Sequence, residues 1–263
     1  MINFFTIVHN GMPFIQYHLP VFQKLRIPWR WVIVEGISKH GSDRGGVQPN
    51  LTRWHKDFLS IDGTSEYLDR IKDDRVRVVR YYCIWQGKTD MVNIALGMFR
   101  DGDVLWEVDC DENWKPEQIE KMALMFKEHP DKTSALFCCR FFVGPDRFIF
   151  EPGKTGNMMA YEWRRAWRYV PGAHFSAHEP PTYNAIGTGT HPTDFTHAET
   201  MKEGLIFDHM WGVTEEQMRF KEAYYGCPGM VGNWKRLQTA ALPVRFRDYL
   251  PYFCRDDAKV VKA

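Results

Sequence analysis

The sequence predicts an α/β protein: a three-layer α/β/α domain with a mostly parallel central sheet and a smaller antiparallel part toward the C-terminus. Three observations point there. Apolar strand-like stretches alternate with amphipathic helical ones three times before residue 113. The run 104–108 is apolar on both strand faces and ends abruptly in acid. Beyond it, two apolar runs flank Gly144-Pro145-Asp146, which reads as a hairpin, so alternation gives way to antiparallel pairing.

Residues 2–9 form a short apolar strand that runs into the turn signal Asn10-Gly11, and Pro13 suits a first helical turn. Phe14, His18, Val21, Phe22 and Leu25 then recur at helical spacing, with Pro20 interrupting them. Residues 29–35 make a second strand, ending in Glu35 and followed by Gly36 and Ser38; a β-α-β order implies parallel strands and a right-handed crossover. The polar stretch 39–62 has no clear period and reads as a long loop or insertion. Thr64-Ser65-Glu66 starts a helix to about residue 73, a third strand covers 75–82, and Met91, Val92, Ala95, Met98 and Phe99 mark one face of a helix over 88–100.

The strand at 104–108 comes next. Side chains alternate along a strand, so Asp109 and Asp111 project to the same side where it ends, with the small Cys110 between them. Pro116 opens a helix with the apolar stripe Ile119, Met122, Ala123 and Phe126. The hairpin runs cover 133–143 and 147–151. Between Trp163 and His197 periodicity is poor, which predicts surface loop around a short strand near 166–170. Residues 205–211 form one more strand, and Thr214-Glu215-Glu216-Gln217 matches a capping box opening a helix to about residue 225. One domain is expected over 1–263, with halves 1–113 and 114–232 and a C-terminal extension at 233–263.

Composition excludes several classes. A formal net charge of +1 without runs of like charge gives no nucleic-acid surface. No apolar run is long enough for a transmembrane segment, and a strand begins at Ile2 where a signal peptide would lie. The six Cys are irregularly spaced, which fits a reducing, cytoplasmic compartment. The 10 Trp, 11 Tyr and 18 Phe serve chiefly as core, ring-lined pockets being their other use.

Two carboxylates at the end of a central strand make a site for a hard cation, and ligands of open α/β sheets gather beyond the carboxyl ends of strands. A divalent ion there would bridge the protein to a diphosphate. The plainer reading is a turn, with Asn113 before Lys115-Pro116 capping the next helix.

Taken in order, the strand ending in Asn10, the strand followed by Glu35-Gly36-x-Ser38, Gly87-Lys88 with Asn93 on the following helix, and Asp109-Cys110-Asp111 resemble the nucleotide-binding half of a GT-A glycosyltransferase, similar to the inverting family 2 group. The resemblance covers residues 2–143, and the later half matches in outline. It departs at Glu35, where the family usually has Asp against the base, and at His9, where Pro or Tyr commonly precedes the Asn. It implies a GT-A-like domain whose 1–113 half binds a nucleotide-sugar donor through Asn10, Glu35, Ser38, Lys88, Asn93 and Asp109. It also implies Mn²⁺ or Mg²⁺ on Asp111, with Asp109 on ribose or metal.

In such enzymes a late His completes the metal site, a place His209 occupies here, with His174 and His178 as alternatives. The second half, 114–232, contacts a glycan or other hydroxyl acceptor and supplies the catalytic base. Glu179, in the cluster His174-Phe-Ser-Ala-His178-Glu179, is the first candidate; Asp194, Glu199 and Asp208 are rivals. Trp163, Trp167, Tyr183 and Trp211 are candidate sugar-stacking rings.

Three other readings are weighed against this one. A zinc site built mainly from histidines would use His174 and His178, whose Pro-rich surroundings argue against helical i,i+4 geometry. A sugar-1-phosphate nucleotidyltransferase would need a Gly-rich loop with Arg and Lys after the first strand, where residues 10–19 carry only Gly11. A catalytically silent glycan- or nucleotide-binding module on the same scaffold would leave Asp109, Asp111, Glu179 and His209 without turnover.

Overall fold

The computed structural model describes residues 1–39, 52–151, 163–178, 181–184, 193–251 and 258–263. The first half alternates as expected: β1 (Ile2–Val8), α1 (His18–Phe22), β2 (Trp29–Glu35), α2 (Thr64–Arg70), β3 (Val76–Arg80), α3 (Lys88–Gly97) and β4 (Val104–Glu107). There follow β5 (Glu112–Asn113), α4 (Pro116–Glu128), β6 (Ser134–Leu136), β7 (Cys138–Gly144), β8 (Arg147–Glu151), β9 (Arg164–Arg168), β10 (His174–His178), β11 (Pro181–Asn184) and β12 (Asp194–Phe195). The chain closes with α5 (His197–Lys202), β13 (Ile206–His209), α6 (Glu215–Tyr225), α7 (Met230–Thr239), β14 (Val244–Arg245) and β15 (Lys259–Lys262).

The larger sheet has seven strands in the order β12-β6-β9-β4-β1-β2-β3, all pointing one way except β9. A six-stranded, mostly antiparallel sheet runs β14-β15-β8-β7-β13-β5, and β10 pairs with β11 as a separate ribbon. The architecture is therefore mixed α/β, a mostly parallel larger sheet with a smaller, mostly antiparallel one, as the sequence predicts.

Period-two alternation explains why the parallel strands read as unbroken apolar runs. Phe4, Trp31 and Trp106 face one side, where Phe22 of α1, Leu68 of α2 and Met122 of α4 cover them. Phe5, Val32, Val34 and Leu105 face the other, beneath Met91, Val92 and Ala95 of α3 and Phe175 of β10. With both faces covered, no strand position has to be polar until the chain leaves the sheet.

Two expectations are corrected. The run 133–143 is two strands, β6 in the large sheet and β7 in the small one. Phe137 marks the crossing; its ring is fully buried against Trp106 and Trp114, so the two sheets share one core there. The segment expected as surface loop around a short strand holds β9, which lies in the middle of the large sheet between β4 and β6, together with β10, β11 and β12. The segment 233–263 holds the end of α7, which begins at Met230, and β15, which pairs with β8. Among the described residues no helix is long and apolar enough to cross a membrane.

Gly36, just past β2, is required by its backbone. Its φ is +153°, and a Cβ there would lie 2.6 Å from the indole Nε1 of buried Trp85. Gly36→Ala is expected to cost about 2 kcal/mol or more, read as a lower urea midpoint. A midpoint equal to wild type would show that the turn adapts freely.

Candidate functional site

The carboxyl ends of β1, β2 and β4 lie side by side, Val8 in register with Glu35 and Phe5 with Glu107. Gly11 after β1 meets the loop after β4: a Cβ on it would approach Cys110 Cβ to 3.1 Å. Asn10 adopts left-handed backbone (φ 54°), which Asn tolerates, and its side chain organises the segment opposite. Its Nδ2 donates to the Trp54 carbonyl at 2.8 Å, and its Oδ1 accepts from Ile61 N–H at 2.9 Å.

Glu35 is fully buried, and both its oxygens are engaged. Oε2 accepts from Arg80 Nε at 2.6 Å, and Oε1 accepts from Ser65 Oγ at 2.5 Å and from the Ser60 N–H at 3.3 Å. Asn93 is likewise occupied, donating to the Phe175 carbonyl at 2.9 Å and accepting from the Phe175 N–H at 2.8 Å, so it ties α3 to β10. Ser38 Oγ lies 2.8 Å from the Tyr224 hydroxyl, and Lys88 Nζ sits 5.7 and 5.9 Å from the Tyr224 and Tyr225 ring centroids. The C-terminal turn of α6 therefore closes over the ends of β2 and α3.

Asp111 is the focus. His209 Nε2, at the end of β13, lies 3.3 Å from Oδ1, and Lys221 Nζ, from the middle of α6, lies 3.2 Å from Oδ2. Burial alone would raise the Asp111 pKa, but the charges of Lys221 and His209 outweigh it and hold the carboxyl well below the ordinary range. Lys221, also buried and resting 5.3 Å above the Trp211 ring, is pushed up in turn by Asp111. Lys221 was missed in the sequence; the signal was a cation on the second turn of a capped helix, where register alone does not show what it faces.

A second network surrounds Arg165 of β9. Its Nε is 2.6 Å from Glu112 Oε1, its Nη2 2.9 Å from Asp109 Oδ2, and its Nη1 3.7 Å from Glu107 Oε2. Burial, reinforced by the Asp109 charge and opposed by Arg165, pushes the Glu112 carboxyl up to about 8. On the opposite side of the Cys110 loop His18 donates from Nε2 to the Cys110 carbonyl at 3.1 Å, and burial lowers its pKa to about 4; His9, buried beside Trp54, is also lowered to about 4.

These shifts give a pH profile with a worked sign. Two histidines neutral in the folded state take up protons on unfolding between pH 4 and 6.5, so stability rises with pH from about 4 to 6.5. Glu112 binds a proton more tightly when folded, so its contribution falls from pH 4.5 to about 8. Urea unfolding is expected to show greatest stability near pH 6.5, with a descending limb above it that Glu112→Gln flattens. A limb unchanged in that variant would contradict the assignment.

The rival base carboxylates are all engaged by the protein. Asp194 pairs with Ser134 Oγ and with Arg164 at 2.8 Å. Glu199 completes the α5 capping box with Thr196 and meets Lys132 at 3.1 Å. Asp208 holds Arg140 through two bonds of 2.6 and 2.7 Å. Glu179 lies outside the described residues. His174 is exposed on β10, while His178 is buried beside Glu107. Trp163, Trp167 and Trp211 are buried, and the Tyr183 hydroxyl accepts from the Val170 N–H, so these rings serve the interior first. A cleft of about 500 Å³ lined by Trp29, Arg75, Arg77 and Phe99 opens at the amino ends of β2 and β3, the wrong end of a parallel sheet for its ligands.

No protein-family profile and no curated protein matches the chain. Among solved structures it is similar to Staphylococcus aureus TarS. One match is TarS 1–349 in complex with UDP-GlcNAc, at 15% identity and TM-score 0.43, over 64% of this chain and 45% of that one. Another TarS structure matches at 12% identity and TM-score 0.49 over 84% and 38%, and a further 1–349 structure at 14% and 0.45 over 85% and 64%. The chain thus spans less than two thirds of each matched chain. At these scores the likeness adds no weight to the site, which stands on the side chains above.

Proposed function

We propose that this chain is a glycosyltransferase that moves a sugar from a nucleoside-diphosphate donor to a hydroxyl acceptor, with a divalent ion at Asp111 and inversion at the sugar carbon. The observation that carries the reading is Asp111 itself, a buried carboxylate held ionised at the carboxyl end of a central parallel strand, between an imidazole and an ammonium.

The donor set fits a divalent ion. An Asp oxygen and a His nitrogen 3.3 Å apart are spaced as two neighbouring ligands of one ion, about 3 Å, while the second Asp oxygen stays with Lys221. The bound ion supplies Lewis-acid stabilisation of the departing diphosphate. Lys221 adds a fixed positive charge beside the same group, and Lys88 with Ser38 lines the edge toward the nucleoside. Asp109, held by Arg165, faces the ribose side; Asn10, Glu35 and Asn93 hold the surrounding segments in place. In the transfer the acceptor oxygen bonds to the anomeric carbon as the bond to phosphate oxygen breaks, and the acceptor proton passes to the base. Glu179 is that base in this reading, supported by the engagement of Asp194, Glu199 and Asp208 elsewhere.

Thermal melts of the chain with UDP-, GDP-, dTDP- and CMP-sugars, UDP-GlcNAc among them, with and without Mn²⁺, test the reading. A saturating donor is expected to raise the melting temperature by about 5–10 °C, only with metal and not in Asp111→Asn. No shift with any nucleotide would overturn the donor site and favour a silent glycan-binding module.

A further inference from the structure

Glu107 is the last residue of β4, only 1% exposed, and points to the same side as Leu105, away from the aromatic core beneath Trp106. A carboxylate so placed needs hydrogen bonds or compensating charge. Among the described residues neither of its oxygens has a partner in good hydrogen-bond alignment. Its Oε2 is 3.7 Å from Arg165 Nη1, beyond hydrogen-bond reach, and its Oε1 turns to the ribbon, where His178 Nε2 of β10 lies 2.8 Å away. Asp109, two residues on and therefore on the same side of the chain, brings a third ligand atom. One atom each from Glu107, Asp109 and His178 lies within 4.8 Å of the others.

That spacing suits three ligands of one ion. Oxygen and nitrogen donors at about 2.1 Å from a metal are about 3 Å apart when adjacent and about 4.2 Å when opposite. Charge points the same way. One guanidinium faces three carboxylates, Glu107, Asp109 and Glu112, so acidic groups outnumber the cation in a buried place.

We propose that Glu107, Asp109 and His178 form a binding site for a divalent transition-metal ion, Zn²⁺ or Mn²⁺, separate from the Asp111 and His209 pair. Two carboxylates with one imidazole are a mixed oxygen and nitrogen set, which both ions accept. Arg165 occupies Oδ2 of Asp109 and the neighbourhood of Oε2 of Glu107, and so fixes which oxygens turn to the ion. The ion would clip the β10–β11 ribbon to β4 through His178. The site does not depend on the donor reading, because it needs no nucleotide.

The test uses the full chain, stripped with a chelator, reloaded with Zn²⁺ or Mn²⁺ alone, dialysed, and assayed for bound metal by mass spectrometry without any nucleotide. Asp111→Asn, which removes the other candidate ion, is expected to keep about one ion per chain, and Asp111→Asn combined with Glu107→Gln or with His178→Asn to lose it. Far-UV circular dichroism of each variant establishes folding; if Glu107→Gln does not fold, His178→Asn decides. In the wild type, Zn²⁺ is expected to move the His178 imidazole nitrogen resonance, a readout that needs no variant. An ion retained in Asp111→Asn combined with His178→Asn, none bound by Asp111→Asn, or an unmoved His178 resonance would overturn the site and leave His178 simply as a neighbour of Glu107.

Discussion

Replacing Arg165 by methionine is expected to destabilise the protein by about 3–5 kcal/mol, because it strands buried carboxylates rather than merely removing a cation. Glu112 is fully buried and its Oε1 relies on Arg165 Nε at 2.6 Å; Asp109 and Glu107 share the same guanidinium. The strand itself joins β4 to β6, so the loss spreads through the centre of the large sheet. Arg165→Lys is expected to recover only part of it, since one ammonium cannot reach three carboxylates in the fixed geometry of a guanidinium. Adding Glu112→Gln to Arg165→Met should return some stability by removing one orphaned charge, a coupling that a double-mutant cycle measures. A loss under 1 kcal/mol in Arg165→Met would mean that the carboxylates are neutralised by other means.

Arg165 also marks how far the sequence could be read. Alternation of strands and helices up to β4 was legible because both faces of those strands are covered, so nothing polar interrupts the pattern, and Trp29–Glu35 is recovered to the residue. The doublet Arg164-Arg165 inside Trp163–Trp167 was the sign that β9 is not surface loop. Two buried cations demand acidic partners, and those partners sit in another part of the chain, which periodicity does not report. Phe137 hid the switch between sheets for a similar reason: an apolar residue at a crossing looks like an apolar residue within a strand.

At the candidate site, alternation put Asp109 and Asp111 on one side, but the structure gives Asp109 to Arg165 and Asp111 to His209 and Lys221, and Glu107, two residues before Asp109, was masked by the apolar run around it. Asn10, Glu35 and Asn93 were read as donor contacts from their places at strand and helix ends. The structure engages their polar atoms with Trp54 and Ile61, with Arg80 and Ser65, and with Phe175. Position in a motif does not reveal such local partners. Lys221 and His209 meet Asp111 only because β13 pairs with β5 and α6 follows it, a long-range arrangement.

If the chain transfers sugar as proposed, Lys221→Met is expected to lower kcat by about 10²–10³-fold with little change in KM for the acceptor, the size of effect seen when one fixed charge is taken from a developing anion. The argument rests on where its charge lies. Lys221 Nζ is 3.2 Å from Asp111 Oδ2 and 5.3 Å from the Trp211 ring centroid, so the ammonium is already ordered and partly desolvated before any substrate arrives. A charge placed in advance acts on the departing diphosphate without paying for reorganisation, and its benefit appears only as the bond to phosphate breaks, hence in kcat. Asp111→Asn should lose at least as much, because it removes the ion's anchor while Lys221 remains. The two variants separate on titration with Mn²⁺: excess metal should leave Lys221→Met defective and restore part of Asp111→Asn. A Lys221→Met enzyme whose kcat stays within about threefold of wild type would mean that the ammonium serves only to hold Asp111, and that the leaving group is stabilised elsewhere.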